Sequence, residues 1–82
     1  MKKMLRRKVR EVLAMQPGYG KNEKFLLQAV NDLCGGGVAL QDLRDATEWN
    51  HAEKLIRSSR EEEAEETLWY ITAAGLAKQQ LQ

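Results

Sequence analysis

Met4, Leu5, Val9, Val12 and Leu13 recur at helical spacing, and Lys3, Arg6, Arg7 and Arg10 fall on the far face. That pattern predicts an amphipathic helix from about Lys2 to Met15. The stretch "QPGYGKN" (16–22) stops it, because Pro17 disfavours helix at Gln16 and Gly18 and Gly20 turn the chain. Asn22 is a candidate N-cap, with Glu23 placed in the first turn to suit the helix dipole. Phe25, Leu26, Ala29, Val30 and Leu33 then form a second helical stripe, which "CGGG" (34–37) ends.

A third helix is expected from Leu40 to Leu55, with Leu43, Ala46, Thr47 and Asn50 inward. Gln41, Arg44, Asp45, Glu48 and His51 project on the opposite face. Asn50, placed inward, needs a partner for its amide. "LIRSSR" (55–60) then reads as a short strand, "REEEAEE" (60–66) as a charged loop and "TLWYIT" (67–72) as the returning strand. Alternation puts Trp69 and Ile71 on one side of that strand and Leu68 and Tyr70 on the other. Thr72 can end the strand and cap a last helix over 73–81, where Gly75 allows close packing on the strand. The expected class is mainly α with a small β-hairpin, in the order helix, helix, helix, strand, strand, helix.

With 82 residues there is material for one hydrophobic core and one domain. No apolar run approaches the roughly 20 residues of a membrane span. The single cysteine, Cys34, excludes an internal disulfide and fits a reducing cytoplasm. Net charge is +1, but the cations crowd into the first helix and the glutamates into the loop between the strands. Such segregation suggests two surfaces with different partners, or one that meets its opposite in a second copy.

The stretch "HAEKLIRSSR…EETLWYITAAGLAK" resembles the third helix and wing of winged helix-turn-helix regulators of the ArsR, MarR and PadR-like families. Leu55-Ile56 stands at their aliphatic exit from the helix, and Thr72-Ala-Ala-Gly75 at their Thr-x-x-Gly strand end. "LAMQPGYGKNEKFLLQAV" is similar to an earlier part of the same fold. The nearest likeness is to small winged-helix reading frames of Mu-like phages and prophages. Lys54 replaces the glycine often found before that exit, and Thr47 and Asn50 stand where large aliphatics are usual. The resemblance implies a DNA-binding regulator or phage accessory factor, with the third helix in the major groove and the wing on the backbone.

The residues support that mode only in part. Lys3, Arg6, Arg7 and Arg10 are candidates for holding phosphates, with Arg57 and Arg60 at the wing's root. Gln41, Arg44 and His51 are candidates for facing the bases. Asp42, Asp45, Glu48 and the glutamate loop would be repelled by a polyanion. Two readings follow. Either duplex DNA is bound in a shifted orientation led by the first helix, or the fold serves protein interaction. The second reading would use Trp49 and the acidic Glu61, Glu62 and Glu63, with a homodimer or a basic protein as partner. A sensor of an effector is a third reading without a ligand-pocket signature in the sequence. His51 lacks neighbours at metal-ligand spacing, Cys34 reads as a small apolar residue, and "GGG" lacks the Lys and Ser/Thr of a phosphate loop. No nucleophile, acid–base pair or nucleotide motif is visible, so neither enzyme activity nor a cofactor or metal is expected.

Overall fold

The computed structural model describes residues 2–60 and 65–81, so the expectations for Glu61, Glu62 and Glu63 lie outside the described residues. Its elements are α1 (Lys2–Met15), α2 (Glu23–Cys34), α3 (Leu40–Ala52), β1 (Ile56–Arg60), β2 (Thr67–Ile71) and α4 (Ala73–Gln80). The chain is mainly helical, with one antiparallel hairpin, in the expected order. Among the described residues no helix is long and apolar enough to cross a membrane.

Several helix boundaries have a local cause. The Asn22 side chain accepts the Phe25 N–H at 2.8 Å, closing the start of α2. At its end Gly35 takes φ +77°, the left-handed conformation a side chain resists, and the Gly36 N–H reaches back to the Asn31 carbonyl at 2.8 Å. The helix α3 stops at Ala52, short of the expected Leu55, because Lys54 adopts φ +60°. A left-handed lysine costs roughly 1–2 kcal/mol. The reversal lets Leu55 drop into the interior and start the hairpin.

Thr72 is the joint between hairpin and last helix. Its hydroxyl donates to the Lys54 carbonyl at 2.8 Å and accepts the Gly75 N–H at 3.0 Å, while its own N–H bonds the Leu55 carbonyl at 3.1 Å. Gly75 has to be glycine here, since a Cβ would run into the Leu55 carbonyl oxygen and lie 2.8 Å from Ile71. The hairpin pairs Ile56 with Ile71 and Arg60 with Thr67. On its other edge β2 takes a single bridge from the loop after α1. Lys21 and Trp69 exchange N–H···O bonds of 3.0 and 2.9 Å. Gly20 makes that approach possible, because a Cβ there would meet the Tyr70 ring at 2.5 Å.

Leu5, Val9, Val12 and Leu13 of α1 meet Leu26 and Val30 of α2, Leu43 and Ala46 of α3, and Ile56 and Ile71 at the hairpin root. Leu13, Leu26, Leu43 and Ile56 are fully buried and each contributes roughly 1.5–3 kcal/mol of burial. The inward stripe expected for α3 is the buried one, with Thr47 and Asn50 included. In β2, Ile71 enters the core and Trp69 packs on it, while Leu68 and Tyr70 face Gly20. Three stripe residues are not in the core: Met4, Phe25 and Leu33 are exposed. Phe25 instead lies under the Lys21 ammonium, 4.6 Å from its ring centre.

Candidate functional site

The outer side of α1, Trp49 of α3 and Lys78 of α4 enclose an open groove of about 620 Å³. Met4 and Trp49 supply its apolar walls. Among the described residues every charged side chain that lines it is a cation: Lys3, Arg6, Arg7, Lys8, Arg10 and Lys78. The Arg6 guanidinium lies over the Trp49 ring at 4.4 Å, which fixes a long side chain against a flat wall. Lys8 is held to Glu11 of the next turn at 3.0 Å. Lys3 and Arg7 are exposed and form no ion pair among the described residues. The groove thus collects four of the expected phosphate-holding residues, Lys3, Arg6, Arg7 and Arg10, and adds Trp49.

Arg10 departs from expectation. The helical pattern groups it with the exposed cations, but only 2 % of its surface is accessible. Its Nε donates to Gln79 Oε1 at 2.9 Å, and its Nη1 donates to Asn50 Oδ1 at 2.9 Å. Asn50 turns its Nδ2 the other way, donating to the Arg6 carbonyl at 3.0 Å and the Ala46 carbonyl at 2.9 Å. The inward asparagine therefore has its partner, and that partner is an arginine. Burial pushes the Arg10 guanidinium below its ordinary range, and the neighbouring Arg7 cation adds to the effect. Arg10 is a floor residue of the groove, joining α1 to α3 and α4, not a surface clamp.

The residues expected to face bases lie outside the groove. Gln41, Arg44 and His51 are exposed on α3, as the helical spacing requires. Arg44 is already engaged: its Nε and Nη2 donate to the two carboxylate oxygens of Glu23, each at 3.0 Å. That fork-to-fork hydrogen bonding, and then the Glu23 charge, holds its guanidinium above the usual range. Gln41 donates to Asp45 at 3.0 Å. The His51 ring meets the Trp69 ring edge-on with centroids 5.2 Å apart. Asp42, Asp45 and Glu48 are exposed on the same helix. Arg57 and Arg60 are exposed on β1, where Arg57 stacks on Tyr70 at 4.2 Å.

Cys34 is a half-buried free thiol at the end of α2, packed against the core. Among the described residues no group of three or more His, Cys, Asp or Glu side chains could hold a metal ion. Lys78 and Gln79 carry no signal in the sequence pattern. Gln79 is 69 positions from Arg10, and only the return of α4 onto α1 joins them. No protein-family model, curated protein or solved structure matches the chain.

Proposed function

We propose that this chain is a winged helix-turn-helix protein that binds duplex DNA by its phosphate backbone, with α1 as the leading helix. The element order supports the winged-helix reading. So do two local features: Lys54 takes a left-handed φ where the resembling families favour glycine, and Thr72 caps α4 through Gly75. The observation that carries the DNA reading is the groove, whose charged lining is wholly cationic. A cation that replaces condensed counterions on DNA gains affinity with little regard to sequence. Lys3, Arg6, Arg7 and Lys78 suit that role.

The helix α3 contributes little to base readout in this reading. Its one exposed arginine is held by Glu23, and its carboxylates would face phosphates. The protein then acts as a weakly discriminating regulator or accessory factor, of the kind small phage-like reading frames would encode. The test is fluorescence anisotropy with a mixed-sequence duplex at low salt. Wild type is expected to bind, and Lys3→Glu with Arg7→Glu to lose about 100-fold or more. Absence of binding by the wild type would overturn the reading.

Protein interaction is the second reading, and one observation favours it: Asp42, Asp45 and Glu48 form an exposed acidic face on α3. A basic protein or a second copy offering its own α1 would complement that face. Sedimentation of the wild type across concentration separates self-association from a monomer.

A further inference from the structure

The Arg10 guanidinium is nearly enclosed, yet none of its bonds among the described residues is to a carboxylate. The ion pairs among the described residues are Lys8–Glu11 and Arg44–Glu23, and neither reaches it. Its two hydrogen-bond acceptors, Asn50 and Gln79, are neutral amides. They orient the fork without cancelling its charge. A buried cation in that state is costly, and an uncompensated one calls for an anion. Its Nη2 has no partner among the described residues. No enclosed side-chain nitrogen or oxygen there is left unpaired, so Nη2 is not fully enclosed, and Arg10 lines the groove. Arg6, Arg7 and Lys78 line the same groove, again without a carboxylate among the described residues.

We propose that the floor of this groove is a binding site for a phosphate monoester, a dianion small enough to reach Arg10. One phosphate oxygen accepts from Arg10 Nη2, and Arg7 and Lys78 close on the others. Several cations around one opening suit a doubly charged tetrahedral group better than a single carboxylate. The rest of the ligand lies along Met4 and Trp49, in a space of ordinary size for a small-molecule site. An internal phosphodiester of a duplex is flanked by sugars on both sides and stays at the rim, on Lys3 and Arg7. The site is therefore distinct in its ligand from the DNA surface, and it stands whether or not DNA binds. If both bind, they compete, which makes the ligand a regulator.

The test is a titration of the ¹⁵N-labelled full chain with inorganic phosphate, at ionic strength held constant with chloride. Saturable shifts are expected at the Arg10 Nε–H and the Trp49 indole N–H, and larger affinity is expected for adenosine 5′-monophosphate than for adenosine. Gln79→Glu keeps the oxygen that accepts from Arg10 and supplies an internal counter-charge. It is expected to weaken phosphate binding by about tenfold or more. Lys78→Ala, on the solvent side of the groove, is expected to weaken it about threefold or more and serves if the first variant fails to fold. A 5′-phosphorylated oligonucleotide compared with its 5′-hydroxyl form tells a nucleic-acid end from a free ligand as the source. Shifts that do not saturate, or that both variants leave unchanged, would overturn the site. Lys3→Glu with Arg7→Glu decides the DNA reading by a separate measurement.

Discussion

Arg10 on α1 and Arg44 on α3 carry the same guanidinium into opposite situations. Arg10 is buried between helices, bonded to two amides, and has no carboxylate beside it among the described residues. Arg44 is exposed and held by both oxygens of Glu23. Sequence position suggests the reverse use, with Arg44 free to read bases and Arg10 on the surface. The difference shows that an arginine's availability depends on what has already neutralised it. The α1–α4 flank keeps its positive potential, whereas the outer face of α3 has cancelled most of its own.

The largest effect should come from breaking the buried side. Asn50→Ala removes the acceptor for Arg10 Nη1 and leaves that donor enclosed. A loss of about 2–3 kcal/mol is expected, or roughly 10–20 °C in a thermal melt followed by circular dichroism. Next is the double reversal Lys3→Glu with Arg7→Glu, which should leave the melt nearly unchanged while anisotropy reports the loss of DNA binding. Gln79→Glu is expected to raise stability by roughly 1 kcal/mol, about 4–8 °C, because a carboxylate then faces a charge that had none. Smallest is Arg44→Ala, which should move neither the melt nor DNA affinity beyond measurement error, since an exposed pair on a poor DNA surface is removed.

How much of this is legible in the sequence follows from the range of each cause. Helix periodicity, the Asn22 cap, the Thr72–Gly75 joint and the α3 stripe are local, and the sequence reading of them agrees with the structure. The periodic pattern runs α3 on to Leu55 because nothing within it announces that Lys54 will turn left-handed. Arg10 escapes for a longer-range reason. On α1 alone it lies beyond the apolar stripe, and α3 and α4 together cover that flank. Asn50 gives the one usable signal, since an inward amide requires a partner, but the partner's identity depends on the helix packing. The Arg44–Glu23 pair joins α2 to α3 across 21 positions, and no periodicity of either helix reveals it. The groove itself is a product of the tertiary fold, so sequence alone identifies only some of its cations.

In the proposed function α1 carries the nucleic-acid contact and the outer face of α3 does not. The salt dependence of duplex DNA affinity tests it most directly, measured for the wild type, for Lys3→Ala with Arg7→Ala, and for Gln41→Ala with Arg44→Ala. The α1 pair should lower the slope of log K against log salt by about 2, near 0.9 for each phosphate that is no longer neutralised, while the α3 pair leaves it unchanged. A slope that falls with the α3 pair and survives the α1 pair would contradict the account.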